Sequence, residues 1–398
     1  MKQSQRITRI TGGGSDGWDV FYRARRMKAA GIPVLELTIG EHDIRTHPDI
    51  LAAMDRAARG GHTGYAMVPG IAPLRAAVAE RIARQSGVPT GPENIIITPG
   101  GQSGLFAAHM AVTDPGDRAL FIDPYYATYP GVIRAANAVP VAVAASPDHG
   151  FQPQAGALDA AATGAASLLI NSPNNPTGAV YSRATLEGIA QVCTDHDLWL
   201  ISDEVYDTQV WDGTHISPRA LPDMAERTLV IGSMSKSHAM TGSRIGWICA
   251  DPSVIRSLID LATTTTYGVA GFVQDAALFA LAQGPALEAE VAAPFARRRQ
   301  LTLDLVATQN VVRMSPPQGA MYAVLDIRAT GMTGEEFANA LLDAEHIAVM
   351  PGESFGASAA GHIRIAMTIA DADYVAALNR VLAFAAAQMP GSLRAKAN

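Results

Sequence analysis

The sequence predicts an α/β protein whose large domain is built on a doubly wound, mostly parallel sheet of seven strands. Short continuous apolar runs recur from residue 94 onward, and segments of helical periodicity separate most of them, as when helices cover both faces of a parallel sheet. The predicted strands are Ile95–Thr98, Ala119–Asp123, Val139–Ala144, Leu168–Asn171, Leu198–Asp203, Thr228–Gly232 and Gly246–Ala250. The last strand follows its predecessor too closely for a helical crossover, so we expect it to be antiparallel.

Beyond about residue 275 the pattern predicts a second, smaller α/β domain. Its predicted helices are Leu287–Thr308, Glu335–Ala344 and Asp371–Met389, and its predicted strands are Val311–Ser315, Ala320–Asp326, Ile347–Met350 and His362–Met367. A chain of 398 residues is too long for one ordinary hydrophobic core, which favours two domains. We expect residues 1–45 to form an N-terminal arm and part of the small domain, residues 46–280 the large domain, and residues 281–398 the small domain.

The first ninety residues are predicted to contain a flexible segment, one strand and three helices. Met1–Asp16 is polar and rich in glycine toward its end, which indicates a flexible arm. The predicted strand is Pro33–Ile39, and the predicted helices are Trp18–Ala30, Pro48–Arg59 and Ala72–Gln85.

Composition argues against several classes of function. The formal net charge of −7 gives no basic surface for nucleic acid, and no apolar run reaches membrane-spanning length. The only two cysteines, Cys193 and Cys249, cannot form a disulfide framework, and without a C-x-x-C pair we predict no metal site. The N-terminus lacks an apolar signal core. We therefore expect a cytoplasmic protein with no nucleic-acid or membrane partner.

The most informative stretch runs from Ser233 to Trp247. Lys236 follows an apolar strand, and an amine held in a cleft there would lose hydration, have a lowered pKa and attack carbonyl groups. Ser233, Ser235 and Arg244 are suited to binding phosphate. An amine nucleophile beside a phosphate site indicates pyridoxal phosphate held as a lysine Schiff base. Taken alone, the stretch is equally compatible with a solvated lysine in a loop.

Other predicted strand ends add polar residues at the sheet edge where ligands of α/β proteins bind. Asp203 could pair with a pyridine nitrogen or simply cap a helix, and Tyr206 could bond a ring oxygen or simply pack. The glycine-rich segment at Gly101 and Gln102 offers amides to a phosphate, or is a plain tight turn. Asn175 and an aromatic residue after Asp123 end two more strands, and five suitable strand ends favour a cofactor over chance.

These motifs together resemble a fold-type I, pyridoxal-phosphate-dependent aminotransferase of class I/II, of the aspartate and aromatic aminotransferase kind. The resemblance covers nearly the whole chain. The matching motifs are Gly40-Glu41-His42-Asp43, Tyr65 with Pro69-Gly70, Gly100-Gly101, Pro124-Tyr125-Tyr126, Asn174-Asn175-Pro176-Thr177-Gly178, Asp203-Glu204-Val205-Tyr206, Ser233-x-Ser235-Lys236 with Arg244 and Gly246, Gly319-Ala320-x-Tyr322, Pro351-Gly352 and Ile363-Arg364-Ile365.

The resemblance implies a role for each matched residue around the cofactor. Lys236 would form the Schiff base and shuttle protons, and Asp203 would hold the pyridinium. The remaining cofactor contacts would come from Asn175 and Tyr206 at the ring oxygen, Tyr126 on the ring face, and Ser233, Ser235, Arg244 and the amides near Gly101 and Gln102 at the phosphate. Tyr65 would reach the phosphate of a neighbouring subunit, which implies a homodimer with shared active sites.

The resemblance also implies how the substrate is held. Arg364 would bind the substrate α-carboxylate, helped by Asn175 and the Gly40 backbone. Two positions depart from the usual pattern: His42 stands where many relatives have proline, and Gln102 is uncharged where some relatives have lysine. The first departure leaves the shape of the adjoining loop open, and the second leaves phosphate neutralisation more to Arg244.

The implied reaction is ping-pong transamination through the Lys236 Schiff base. An L-amino acid would give its amino group to a 2-oxo acid, with 2-oxoglutarate expected as acceptor. The donor is either aspartate or a neutral or aromatic amino acid, and we expect the latter because no residue must be a distal cation. The candidates for such a cation are Arg23, Arg25, His42, Arg45, His109 and His238.

Three alternatives to transamination remain open at this stage. A C–S β-lyase of the same fold would use the same residues. A regulator that binds pyridoxal phosphate would need a DNA-binding extension, which the sequence does not predict. A nicotinamide-binding Rossmann protein would need a glycine fingerprint, which the sequence lacks.

Overall fold

The computed structural model describes residues 1–13 and 17–389, so the predictions for residues 14–16 and 390–398 lie outside it. A seven-stranded sheet in the order β2-β8-β7-β6-β5-β3-β4 confirms the predicted fold class. The strands are β2 (Ile95–Thr98), β3 (Arg118–Asp123), β4 (Val139–Ala144), β5 (Ala165–Asn171), β6 (Trp199–Asp203), β7 (Thr228–Ser233) and β8 (Gly246–Cys249). Strand β8 is antiparallel to both neighbours, as predicted, and the other pairs are parallel.

Helices cover both faces of this sheet because successive residues of its strands point to opposite faces and both sets are apolar. Leu168 and Ile170 of β5 pack in one hydrophobic cluster, and the intervening Leu169 packs in another. The helices of this part are α3 (Pro48–Arg59), α4 (Ala72–Ser86), α5 (Gly101–Val112), α6 (Tyr129–Ala135), α7 (Ala155–Ala162), α8 (Arg183–Asp195), α9 (Met234–Ser237), α10 (Pro252–Thr264) and α11 (Gly271–Ala282).

Both ends of the chain contribute to a separate hydrophobic cluster around two small sheets. Strands β11, β12 and β9 form an antiparallel sheet, and β1 pairs in parallel with β10. These elements are α2 (Asp19–Ala29), β1 (Leu35–Glu36), α12 (Pro285–Ala307), β9 (Tyr322–Asp326), α13 (Gly334–Glu345), β10 (Ile347–Ala348), β11 (Met350–Pro351), β12 (His362–Ala366) and α14 (Asp371–Gln388). The division into domains near residues 45 and 280 stays a prediction.

Three strand predictions in this region were wrong in extent. Val311–Ser315 is not a strand but makes one isolated bridge, from Arg313 to Asp326, just ahead of two prolines that cannot donate ladder hydrogen bonds. Ile347–Met350 divides into β10 and β11, which belong to different sheets. Pro33–Ile39 narrows to the two residues of β1, because the residues after it turn toward the candidate active site.

The N-terminal arm is partly ordered by helix α1 (Gln5–Thr8). Arg134 of α6 donates to the carbonyl of Ile10 at 3.0 Å, and Arg6 donates to the side chain of Asn137 at 2.9 Å. The first bond attaches the described part of the arm to α6 and the second attaches it to the loop just beyond, while the flexibility of the arm stays a prediction. None of the described helices has the length and hydropathy needed to cross a membrane.

Candidate active site

The carboxyl ends of β5, β6 and β7 and the start of α5 surround one cavity of about 290 Å³. Strand β6 ends at Asp203 and β7 ends at Ser233, so the parallel arrangement delivers both residues to the same edge. Twelve of the thirteen residues predicted for the site line the cavity: Gly40, Gly101, Gln102, Tyr126, Asn175, Asp203, Tyr206, Ser233, Ser235, Lys236, Arg244 and Arg364. The thirteenth, Tyr65, lies elsewhere on the surface with 90% of its area exposed.

Lys236 lies on α9, a single helical turn that begins directly after β7. The Ser233 hydroxyl caps this turn by accepting from the Ser235 amide at 3.1 Å, and the Lys236 amine donates to the carbonyl of Gly40. Burial lowers the pKa of the Lys236 amine below its ordinary value, and the charges of Arg364 and Arg244 act in the same direction. The neutral, nucleophilic form is therefore favoured more than in a solvated lysine.

Asp203 is buried at the base of the cavity. Tyr129 donates its hydroxyl to Asp203 Oδ2 at 2.6 Å. Burial raises the pKa of Asp203 to about 6, while the bond from Tyr129 and the Val205 amide oppose that rise. A carboxylate in this position is suited to a cationic partner, because an opposite charge would offset its lost hydration. Tyr129 was missed in the sequence, where nothing distinguishes it from a packing residue.

Hydroxyls, amides and one guanidinium gather where α5 begins. The hydroxyls of Ser233 and Ser235 lie 3.0 Å apart, and Gly101 and Gln102 of the first turn of α5 line the cavity. Amides of a first helical turn have no carbonyl partner within the helix, which suits an anion. Arg244 adopts a left-handed backbone (φ 50°) and its guanidinium covers Gly100, where an added Cβ would lie 2.5 Å from Nη2. Glycine at that position therefore permits a cationic, donor-rich corner that suits phosphate.

Arg364, on β12, is 1% exposed and its guanidinium is fixed on all sides. It donates to the Asn175 side chain at 2.9 Å and to the carbonyl of Thr38. Its Cζ lies 4.4 Å from the ring centres of both Tyr322 and Phe355. The Nε atom has no hydrogen-bond partner among the described residues. A buried, oriented guanidinium with a remaining donor is suited to clamping a carboxylate.

Two tyrosines form the wall between Arg364 and Asp203. The hydroxyls of Tyr206 and Tyr322 lie 3.1 Å apart, and burial raises the pKa of Tyr206 above its ordinary value. Tyr322 was part of a sequence motif, but no site role was predicted for it. It also explains Gly40, because a Cβ there would overlap the Tyr322 hydroxyl.

The lip, residues 40–43, closes one side of the cavity. The Nε2 atom of His42 lies 3.0 Å from the backbone carbonyl of Lys236, and burial lowers the pKa of His42 to about 4, so the neutral ring is the donor. Asp43 pairs with Arg298 at 2.6 Å, which ties the lip to α12. His42 thus gives this lip a hydrogen bond to the Lys236 backbone that a proline, which has no side-chain donor, could not make.

None of the six candidate distal cations lines the cavity within the part of the chain that the structure describes. Arg23 and Arg25 are paired with Asp343 and Glu36, respectively. The others are Arg45, which is exposed, His42, whose ring bonds to Lys236, His109, which is buried in α5, and His238, which bonds to Ser237.

The donor set of the cavity fits pyridoxal phosphate. Asp203 suits a pyridine nitrogen, Lys236 an aldehyde, and the corner between α5 and Arg244 a phosphate. The burial of the Asp203 carboxyl supports this fit independently of any motif, because a cation beside it would offset its lost hydration.

Comparisons with known proteins agree with this donor set. The family model for aminotransferase class I and II matches residues 32–381. The chain belongs to that family. It is 40% identical to an arginine–pyruvate transaminase of Pseudomonas aeruginosa, over 98% of this chain and 100% of the relative. It is 36% identical to an aspartate/prephenate aminotransferase of Thermus thermophilus, over 90% and 92% of the two chains.

Solved structures of aminotransferases show the same fold. An aspartate aminotransferase from Thermus thermophilus with maleate superposes with a TM-score of 0.91 at 34% identity, covering 96% of this chain and 100% of that one. An aromatic aminotransferase from Pyrococcus horikoshii superposes with a TM-score of 0.85 at 31% identity, covering 90% of this chain and 97% of that one. These findings confirm a fold-type I aminotransferase that depends on pyridoxal phosphate, and they support transamination, not the lyase alternative.

Proposed function

We propose that this cavity transfers an amino group from an L-amino acid to a 2-oxo acid, with Lys236, Asp203 and Arg364 as its three essential ionisable groups. One observation supports the proposal most strongly: a buried carboxylate, a buried guanidinium and a partly buried amine line the same cavity of about 290 Å³. Buried charges cost free energy unless they have partners, so this constellation indicates a site built for a charged ligand.

Each end of the cofactor would be held by residues already described. Asp203, supported by Tyr129, would bind the ring nitrogen. Asn175 and Tyr206 would bind the ring oxygen. Tyr126 would cover the ring, and the phosphate would lie at the corner formed by Ser233, Ser235, Arg244 and the amides of Gly101 and Gln102. When bound, pyridoxal phosphate supplies an electron-withdrawing ring that stabilises negative charge at the substrate α-carbon.

The chain's own residues would then orient the substrate and move its proton. Arg364 and Asn175 hold the α-carboxylate in one plane, because a guanidinium fork binds both carboxylate oxygens. The Lys236 amine, with its lowered pKa, accepts the α-proton at Nζ and can return it to a neighbouring carbon. Gly40, whose carbonyl accepts from that amine, and His42 keep Lys236 against the lip.

The charge lining also bears on which substrates fit. Within the described residues, every cation of the cavity is assigned to the cofactor or the α-carboxylate, so a second carboxylate would lack a partner. We therefore retain a non-dicarboxylic donor over aspartate. By the same argument a monocarboxylic acceptor such as pyruvate is favoured over 2-oxoglutarate, and the relative named for pyruvate supports that choice.

The working unit is proposed to be a homodimer in which Tyr65 acts on the partner's site. Tyr65, Met67 and Tyr267 are 90%, 68% and 53% exposed, an unusual concentration of large apolar side chains on one surface. The rings of Tyr65 and Tyr267 lie 5.1 Å apart. A cytoplasmic location is also proposed, supported by two buried cysteines that form no disulfide.

Mixed dimers test the shared site. Tyr65→Phe and Lys236→Ala subunits, each impaired alone, are mixed and allowed to exchange. A hybrid has one site with both Lys236 and the partner's intact tyrosine, so activity should rise above that of either parent. Sedimentation showing a fully active monomer would contradict the dimer.

A half-reaction screen tests the proposed function itself. The purified holoenzyme is mixed with single amino acids, and the cofactor absorbance is followed without any acceptor. We expect the absorbance to change in one turnover and to return when pyruvate is added. Failure of every α-amino acid to change it would overturn the proposal.

A further inference from the structure

One acidic side chain that lines the cavity has no part in the proposed function. The cavity is lined by three cations, Lys236, Arg244 and Arg364, and by two carboxylates, Asp203 and Glu41. The first four are assigned to the cofactor or to the substrate α-carboxylate. Glu41 is left over, at the mouth of the cavity on the lip.

The Glu41 carboxylate makes no ion pair with any residue that the structure describes. Its one hydrogen-bond contact is with the Thr241 hydroxyl, at a long 3.5 Å. The side chain is exposed, yet it lines the cavity and lies near enough to Lys236 for its charge to act on that amine. It is therefore a negative charge at the entrance that forms no ion pair with the described residues and acts on Lys236 only from a distance.

The polar groups beside Glu41 that line the cavity, Thr241 and Gln102, are neutral. Gln102, in the first turn of α5, accepts a hydrogen bond from Thr128 at 3.2 Å and brings no charge. The remaining mouth residues that line the cavity are Trp18 and Ile39, which are mainly apolar. A substrate side chain that extends from the α-carbon toward this mouth would therefore first pass the apolar side chains of Trp18 and Ile39 and then reach the Glu41 carboxylate.

We infer that this mouth selects an amino donor with a cationic side chain, such as a guanidinium on a methylene stem, and that Glu41 is its counter-charge. The inference rests on the proposed function and names its donor class. Apolar walls accept the stem, and the carboxylate bonds the cationic head in a charge-assisted contact. The same carboxylate repels the distal carboxylate of aspartate or glutamate, so Glu41 both favours cationic donors and disfavours acidic ones.

The test compares L-arginine with L-citrulline, which has nearly the same shape but no charge. In the wild-type holoenzyme, kcat/KM for arginine should exceed that for citrulline at least tenfold. Glu41→Gln should remove most of that preference, chiefly through KM for arginine, and leave citrulline within about threefold. Added salt should weaken the preference in the wild type, because the pair at the mouth is exposed.

A second variant and a control keep the outcomes distinct. Glu41→Lys should reverse the charge of the mouth and lower kcat/KM for arginine while raising it for glutamate. Glu80→Gln, which alters an exposed glutamate outside the cavity, should change neither ratio. If wild-type enzyme converts citrulline as well as arginine, or if Glu41→Gln keeps the arginine preference, the inference is wrong and the aminotransferase assignment stands. If no amino acid changes the cofactor absorbance, the proposed function fails as well.

Discussion

The charged groups at the base of the cavity and those at its mouth differ in burial and in hydrogen bonding. At the base, Asp203 and Arg364 are buried, and each is held by named hydrogen bonds from or to its neighbours. At the mouth, Glu41 is exposed and makes one long hydrogen bond, to Thr241, among the residues that the structure describes. The base is supplied by strands of the two larger sheets, whereas the mouth is supplied by the lip, by Trp18 ahead of α2 and by the first turn of α5.

This difference separates the reaction from the choice of substrate. A group whose orientation is fixed by burial and hydrogen bonds can do the same chemistry on any ligand that reaches it. An exposed group on a loop can be exchanged with little effect on folding, so it is where specificity can change. Changes at the base should therefore lower rates for all donors together, and changes at the mouth should alter donor ratios.

The largest expected effect comes from Lys236→Ala at the base. Loss of the amine removes both the nucleophile and the proton acceptor, so multiple-turnover rates should fall by about 10⁴-fold or more for every donor. Absorbance spectra should lose the band of the lysine-bound cofactor. Lys28→Ala, on exposed α2, is the control and should leave rates unchanged. Transamination at a wild-type rate in Lys236→Ala would sink the assignment.

Asp203→Asn should lower the half-reaction rate by about two decades or more, since it removes charge but not shape. The free energy of unfolding of this variant should rise although its rate falls. Burial raises the pKa of Asp203 from 3.8 to about 6, so its contribution to the free energy of unfolding is complete below pH 4 and is lost as pH rises to about 6.

Unfolding of the cofactor-free proteins tests that sign. Asparagine does not titrate, so the variant should gain stability over wild type between pH 4 and pH 7, by on the order of 3 kcal/mol. Urea titrations at several pH values measure the difference. A constant difference across that range would show that burial of Asp203 does not disfavour its charge.

Arg364→Lys should raise KM and lower kcat together, by roughly 10–100-fold in kcat/KM. Lysine keeps the charge but cannot fix the plane of the α-carboxylate. The loss should be equal for charged and neutral donors, because all share that carboxylate. Arg328→Lys, at an exposed ion pair, is the matched control. A loss of kcat/KM confined to one class of donor would show that Arg364 selects the substrate side chain instead of binding the shared α-carboxylate.

Tyr129→Phe should have the smallest effect of the base variants, about tenfold in rate. It removes the 2.6 Å bond to Asp203, which favours the ionised carboxylate, so the pKa of Asp203 should rise further. The acid limb of the pH–rate profile should move to higher pH. Tyr181→Phe is the control, because that buried hydroxyl has no partner among the described residues. An unmoved acid limb would deny Tyr129 its positioning role.

The base was largely predictable from the sequence, and the mouth was not. Asp203 and Lys236 follow continuous apolar strands, and parallel strands bring their carboxyl ends to one edge whatever the loops do. Tyr129 escaped prediction because it starts α6, and its contact with Asp203 depends on how that helix packs on the sheet.

At the mouth, the proposed selection depends on Glu41 having no ion-pair partner among the described residues. That depends on side-chain positions from three distant segments, which no local pattern encodes. The small sheets were misjudged for a similar reason, since the two-residue strands β1 and β10 exist only through their mutual pairing.

The most direct test of this separation is the ratio of kcat/KM for arginine to that for citrulline, measured in Asp203→Asn and in Glu41→Lys. The account predicts that Asp203→Asn lowers both values by about two decades but leaves their ratio within about threefold of wild type. Glu41→Lys should lower the ratio at least tenfold, about 1.4 kcal/mol of discrimination. A ratio that changes as much in Asp203→Asn as in Glu41→Lys would contradict the account.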